Sequence, residues 1–194
     1  FYVDRWDLGY LLQTYTTSPD QTYQSLPQSL GTNLLELVRD LRYMAMAGPL
    51  VHDEDSVGRV SLAGVTYFLG DGDRRKLLAG MRETAEVFFA AGARQVYTGI
   101  AGTRPIERVG DIPGVLSDDI PARRIYPYAS HPMGTCRMGV DPERSVVNPD
   151  GRVWGWRNLY VADASLFPTS LGVNPQVTTM ALGLTIGDAV ADGQ

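Results

Sequence analysis

The stretch 158-NLYVADASLFPTSLGVNPQVTTMALGLTIGDAVAD-192 places a strand pattern, an acidic turn and a helical pattern in immediate succession. The apolar run 158–162 predicts a short buried strand, and the polar turn 163–165 ends it. The apolar spacing over 175–191 predicts a helix. Ligands in α/β sheets bind beyond the carboxyl ends of strands, so this turn is a candidate binding edge, with a plain strand-end turn as the alternative.

The start of the predicted helix is the more specific part of this stretch. Asn174 is a favoured N-cap and Pro175 a favoured first helical residue. A helix start offers unpaired N–H groups and a positive dipole end, which suit an anionic group. A reduced flavin carries negative charge along one ring edge and is therefore a candidate ligand. A capped surface helix is the other interpretation.

A second stretch, 130-SHPMGTCRMG-139, contains one of the two histidines of the chain. The unperturbed pKa of histidine lies near ~6.5, so His131 can accept the proton of an alcohol. The side-chain amide of Asn174 could hold the same oxygen. A His/Asn pair on one oxygen is suited to alcohol oxidation. The alternative is a structural histidine in a glycine-containing loop, which is the commoner role.

The rest of the chain shows patterns of an α+β domain. Residues 1–30 have little periodicity and predict an irregular arm. A short helix follows, with Thr32 or Asn33 as its cap. Asp71 or Asp73 caps the clearest helix, and Gly92 ends it. The predicted segments are a helix at 34–41, strands at 45–51, 58–62 and 64–69, a helix at 71–91, a strand at 95–98 and a long loop at 99–125.

Composition restricts the function classes. The 194 residues carry a formal net charge of −5, which argues against nucleic acid or an anionic membrane as the main partner. Cys136 is the only cysteine, so no intramolecular disulfide and no cysteine-rich metal site can form. The longest apolar stretch, 173–190, is interrupted by polar residues, and the N-terminus shows no secretory signal. We expect no membrane span and favour a cytoplasmic location.

Other chemistries are less favoured. Cys136 follows His131 by five residues, which could indicate a Cys–His nucleophile, but no feature of the sequence lowers the pKa of the thiol. A metal site from His52, His131 and Cys136 matches no usual ligand spacing, and we predict no metal. A non-catalytic structural or interaction module is an alternative function.

Together, these motifs resemble a known family. The order H-P-x-G-T-C-R-M-G, V-x-D-A-S-x-x-P and then N-P before a terminal helix is similar to the C-terminal signature of the glucose–methanol–choline (GMC) oxidoreductases. The resemblance is dense over residues 125–192. The form SHPMGTCRMG and the upstream FFAAGARQVYTG are most similar to the branch of long-chain fatty alcohol oxidases.

The resemblance implies roles for individual residues. His131 corresponds to the catalytic base of the family, and Asn174 to its second active-site residue. Asp163 and Ala164 correspond to flavin-contacting positions. Pro175 and Gln176 correspond to backbone beside the isoalloxazine ring. These four residues are the cofactor contacts that the resemblance implies. The implied reaction is CH–OH oxidation with hydride transfer to FAD. The implied substrate is a small-molecule alcohol that is apolar, either a primary alcohol or a sterol-like one. The alternative that the resemblance implies is a lyase of the same fold, which uses the flavin without net oxidation.

The resemblance also implies an architecture. We expect a largely antiparallel sheet backed by helices in a substrate-binding portion, residues 1–140, and a return to the FAD-binding α/β domain in residues 141–194. The G-x-G-x-x-G turn that seats FAD in the family is absent from this chain, so a missing N-terminal half is the expected partner. Without it, the chain should hold FAD weakly. Its strand at 158–162 should then seek a substitute partner, with a homo-oligomer as the favoured outcome.

Overall fold

The computed structural model describes residues 2–16, 18, 35 and 39–192. The predicted helix at 34–41 falls largely outside these residues. The strands are β1 (Tyr2–Arg5), β2 (Tyr10–Tyr15), β3 (Met46–Val51), β4 (Val57–Ser61) and β5 (Gly64–Phe68), and the helices are α1 (Asp71–Ala90), α2 (Ile112–Val115) and α3 (Gln176–Ala191). The predicted α+β class, with antiparallel strands and helices, is confirmed.

The described chain divides into two compact units. The first comprises Phe1–Val51 and Leu69–Pro127, and the second comprises His52–Phe68 and Tyr128–Gln194. All the candidate site residues lie in the second unit. The functional division into residues 1–140 and 141–194 stays a prediction. Within the described residues, no helix is long and apolar enough to cross a membrane.

In the first unit, β2 is the central strand of a three-stranded antiparallel sheet. It pairs with β1 on one side and with β3 on the other, so that Leu12 lies opposite both Val3 and Pro49. The prediction of an irregular arm at 1–30 is therefore wrong for its first half. Tyr10, Leu11 and Leu12 are consecutive buried residues, because a strand paired on both edges and covered on its faces shows no polar alternation.

Helix α1 packs on this sheet through a small residue. A Cβ on Gly80 would lie 2.5 Å from Pro49 Cβ, so the glycine permits a close approach of the helix to β3. The carboxylate of Glu83 accepts hydrogen bonds from Arg5 Nε at 2.7 Å and Tyr10 Oη at 3.1 Å. Burial, assisted by the Glu83 carboxylate, raises the pKa of Tyr10 to about 12. The helix and the first two strands are thus joined by polar as well as apolar contacts.

The ends of α1 correct one prediction and support another. Gly70 is the N-cap, with no capping side chain, so the prediction of Asp71 or Asp73 as cap is wrong. Asp71 instead pairs with Arg74, and the fully buried Asp73 binds Lys76 Nζ at 3.1 Å. Gly92, with φ of +91°, ends the helix in the left-handed conformation and donates to Phe89 O, as predicted.

The segment predicted as a long loop, 99–125, forms most of the core of the first unit. Its buried side chains pack against Leu78 and Ala85 of α1; they are Ile100, Ile106, Ile112, Val115, Leu116, Ile120 and Ile125. Two arginines of α1 satisfy its backbone: Arg74 Nη1 donates to Asp118 O at 2.6 Å, and Arg82 Nη1 to Leu116 O at 2.7 Å. Irregular segments can be buried when such contacts satisfy their carbonyl groups.

The predicted strand at 95–98 is also wrong, because only Val96 forms a bridge, to Ile106. In the second unit, the strands predicted at 58–62 and 64–69 are present as β4 and β5, and they pair as an antiparallel hairpin with Val60 opposite Val65. The bounds of β3, β4, β5 and α1 lie within one residue of the predicted ones.

Candidate functional site

The histidine-containing loop lies along the acidic turn. Cys136 N donates to Ser165 O at 3.0 Å, and Met138 N donates to Leu166 O at 2.8 Å. Gly134 has φ of +83°, and a Cβ there would lie 3.3 Å from Phe167 O, so the loop passes close to the backbone of the turn. Main-chain contacts, which do not depend on side-chain identity, thus hold the motif SHPMGTCRMG against the motif that contains the acidic turn.

A small buried core joins the third motif to the other two. It consists of Val147, Leu166 of the turn and Ile186 of α3, and Met138 packs against it. Gly151 adds a close contact with the helix, because a Cβ there would lie 2.6 Å from Ile186 Cδ1. The loop, the turn and α3 therefore belong to one packed structure, which fixes the position of α3 against the turn.

The turn that supports this core was not predicted from the sequence. Asn148 is buried, and its Oδ1 accepts from Asp150 N at 3.1 Å and Arg152 N at 2.9 Å. Gly151, with φ of +78°, follows in the left-handed conformation and accepts from Val161 N at 2.9 Å. The signal was the sequence N-P-D-G at 148–151, a typical turn composition.

The predicted strand at 158–162 is not a strand in the described residues. Tyr160 forms an isolated bridge with Arg152, and Val161 N donates to Gly151 O. A strand needs a hydrogen-bonded neighbour along its length, and here the turn at 148–152 supplies only part of one. The apolar pattern identified a partly buried segment but not its pairing.

Ser165 holds the carboxylate of Asp163 in place. Its Oδ1 accepts from Ser165 N at 2.8 Å and from Ser165 Oγ at 2.5 Å. The hydroxyl, and after it the amide, lowers the pKa of Asp163 because both bonds favour the carboxylate. The side chain also caps the single helical turn Ala164–Leu166. Asp163 is exposed, so its carboxylate can accept further hydrogen bonds from a ligand.

Helix α3 starts later than its sequence predicted. Pro175 is the N-cap and Gln176 the first helical residue, and no side chain caps the helix. The prediction of Asn174 as N-cap is therefore wrong: the proline already takes the cap position and is buried, while Asn174 and Gln176 are exposed. Thr179 N donates to Pro175 O at 2.8 Å, so the N–H groups of the three preceding residues lack intrahelical acceptors.

His131 is partly exposed, and its Nε2 lies 3.4 Å from Ser130 Oγ. Cys136 is a partly buried free thiol, and its main chain joins the loop to the turn. Within the described part of the chain, no three His, Cys, Asp or Glu side chains are grouped as metal ligands.

Comparison with known proteins identifies the family. A family model described as GMC oxidoreductase matches residues 53–183, which include the loop, the turn and the first half of α3. The chain belongs to the GMC oxidoreductase family. The resemblance seen in the motifs is thus confirmed over two thirds of the chain.

GMC relatives extend the match to almost the whole chain. An uncharacterised GMC-type oxidoreductase of Mycobacterium tuberculosis is 34% identical over 184 residues, which cover 93% of this chain and 29% of the relative. The long-chain-alcohol oxidase FAO4A of Arabidopsis thaliana is 33% identical, over 83% of this chain and 23% of its own length. The choline oxidase of Arthrobacter globiformis is 37% identical over 61% of this chain and 21% of its own length.

A solved GMC structure shares the fold. The crystal structure of pyridoxine 4-oxidase from Mesorbium loti matches with a TM-score of 0.53 at 23% identity, covering 77% of this chain and 30% of that one. The chain thus spans less than a third of the length of these relatives and of this structural neighbour.

Proposed function

We propose that the full-length GMC protein oxidises the CH–OH group of an alcohol with FAD, with His131 as base and Asn174 as the residue that positions the oxygen. The observation that supports this most is the packing of the three family motifs on one core in the second unit. Relatives named as alcohol oxidases and as choline oxidase support the same reaction class.

The residues present fit one part of a bound flavin. The uncapped start of α3 offers N–H donors and a positive dipole end, and the hydroxyl of Thr179 in its first turn is buried without a partner among the described residues. Pro175 and Gln176 would lie beside the ring, and Asp163 and Ala164 would contact the cofactor from the neighbouring turn. When bound, FAD would supply the hydride acceptor.

His131 would act on the substrate oxygen. Its partly exposed imidazole can accept the proton of a bound alcohol through a ring nitrogen. Removing the hydroxyl proton raises electron density on the oxygen, so the carbon becomes a better hydride donor.

Asn174 would complement this base. Its exposed position, immediately before α3, leaves the side chain outside the helix. An amide N–H can donate to an alkoxide oxygen, which stabilises the developing negative charge. Two groups on one oxygen also fix its direction, so that the carbon–hydrogen bond is presented in one orientation.

The substrate we propose is an apolar primary alcohol. The long-chain-alcohol oxidases of Arabidopsis thaliana match this chain over 83% or more of its length, whereas the choline oxidase matches over 61%. The motif SHPMGTCRMG favours the same branch.

Anaerobic mixing of the full-length protein with 1-dodecanol or with choline tests the proposal. We expect flavin absorbance in the purified protein, and we expect 1-dodecanol to bleach it faster than choline does. Faster bleaching by choline would contradict the apolar substrate but not the reaction. A flavin that stays oxidised with both, and with shorter primary alcohols, would contradict alcohol oxidation itself.

A further inference from the structure

A cavity of about 370 Å³ lies within the first unit, away from the residues proposed for alcohol oxidation. Its lining includes the turn residues Gly102 and Thr103 and the arginines Arg104 and Arg124. Asp119 contributes the only carboxylate to the described lining. Arg104 is paired with Asp111 at 3.5 Å, so Arg124 is the cationic group of this lining that favours an anionic ligand.

Arg124 is held rigidly at one edge of its guanidinium group. Its Nε donates to Ala101 O at 2.7 Å, and Ala101 N donates to Arg124 O at 3.1 Å. The group lies against Gly102, where a Cβ would be 3.1 Å from Nη2. Because Gly102 has φ of +74° and no side chain, the terminal nitrogens can lie against its backbone. Among the described residues, neither terminal nitrogen of Arg124 has a hydrogen-bond acceptor.

We propose that this cavity binds a small oxyanion, a carboxylate or a phosphate group, through the two terminal nitrogens of Arg124. The planar guanidinium group matches two oxygens of such a ligand, and its fixed Nε keeps it oriented before the ligand arrives. An anchored donor loses less side-chain entropy on binding than a free arginine does.

Other lining groups adjust the strength of binding. Arg104 adds positive charge, although it is exposed and lies 3.5 Å from Asp111. Ser117 lines the cavity and donates to Asp119 at 3.3 Å, which orients the carboxylate of Asp119. That carboxylate repels an anion and keeps the affinity modest. Removing it should therefore strengthen binding.

Titration calorimetry of the full chain with sodium phosphate and with sodium acetate, at constant ionic strength, tests the proposal. We expect saturable binding of at least one of them. Binding of phosphate alone would identify a phosphate-type ligand, and binding of acetate alone a carboxylate; binding of both would support a general oxyanion site. The absence of saturable binding with both anions would overturn the proposal.

Three variants test the assignment of the site. Arg124→Gln should weaken binding at least about tenfold, since hydrogen bonds to a charged group are lost. Asp119→Asn leaves the Arg124 anchor intact and should tighten binding about two- to fivefold. Arg123→Gln, an exposed neighbour outside the lining, is the control and should bind as the parent does. Equal weakening of binding by Arg123→Gln and Arg124→Gln would overturn the proposal. Unchanged affinity in Asp119→Asn would also overturn it, and this second test does not require that Arg124→Gln folds.

Discussion

At the scale of single residues, Asn174 has two candidate roles, a structural one as helix cap and a chemical one at the substrate oxygen. Its type predicts a helix cap, yet Pro175 occupies that position and α3 has no capping side chain. Asn174 lies exposed at the start of α3 without capping it, which is compatible with the proposed contact to the substrate oxygen.

Replacing Asn174 by Ala should therefore affect chemistry more than stability. In the full-length protein, we expect hydride transfer to slow by about 10- to 100-fold, the loss of one hydrogen bond to a charged oxygen. The free energy of unfolding should change by less than about 0.5 kcal/mol, because no cap is lost. Stopped-flow flavin reduction and urea denaturation measure the two effects, with Asn158→Ala, another exposed asparagine of the second unit, as control. A normal reduction rate with a stability loss near 1 kcal/mol would restore the role of cap.

Ser165 sets the charge of the neighbouring carboxylate. Its hydroxyl is the largest cause of the lowered pKa of Asp163, so Ser165→Ala should raise that pKa toward its ordinary value. A carboxylate whose pKa is lower in the folded state stabilises that state at pH values above its pKa in the unfolded chain. This stabilisation is lost as the pH falls through the pKa of the folded state. The variant should therefore lose less stability on acidification. NMR titration of the carboxyl groups measures the pKa of Asp163, and Ser170→Ala is the control. An unchanged pKa in Ser165→Ala would show that the Ser165 hydroxyl does not lower it.

At the scale of elements, α3 depends on a glycine outside it. Gly151→Ala brings a Cβ within 2.6 Å of Ile186, whereas the same change at Gly155, also at φ of +78°, meets no atom within 4 Å. Both variants should lose about 1–2 kcal/mol from left-handed backbone strain. Gly151→Ala should lose about 1–3 kcal/mol more from overpacking. Urea denaturation compares them, and equal losses would show that α3 does not pack on the turn as described.

The elements also show which parts of the fold the sequence can predict. β3, β4, β5 and α1 follow from patterns contained within each segment. β2 depends on pairing with β3, more than 30 residues away, and the core of 99–125 depends on arginines of α1. These contacts leave no local periodicity, so the sequence predicted a loop and an arm instead.

The candidate site shows the same division. His131, Asp163, Ala164, Pro175 and Gln176 stand in motifs that a single sequence reveals, and their roles stay proposals. The support beneath them was missed, because Asn148 and Gly151 act through a turn that contacts Val161 and Ile186. A turn composition predicts the bend but not the element that packs on it.

At the scale of the whole molecule, the proposed function assigns this chain one side of a flavin site. The described residues offer the start of α3 and the turn at 163–165, and the sequence contains no G-x-G-x-x-G. The exposed face of α3, with Val177, Met180 and Leu184, also indicates a helix designed for burial on more than one side.

We therefore expect the isolated 194-residue chain to be purified without flavin absorbance. Added FAD should bind weakly or not at all, because the pyrophosphate has no glycine-rich turn and helix start to hold it. Equilibrium dialysis measures the binding, and the full-length protein is the positive control. Stoichiometric flavin in the isolated chain would contradict this expectation.

The most direct test of the account is the rate of flavin reduction by an alcohol in the full-length protein carrying His131→Ala. The loss of a general base predicts a reduction rate about 10²–10⁴-fold lower than that of the unmodified protein. His52→Ala, which removes the only other histidine of this chain, should reduce the flavin at close to the parent rate. A His131→Ala protein with intact flavin that is reduced within about threefold of the parent rate would contradict the assignment of His131 as the base.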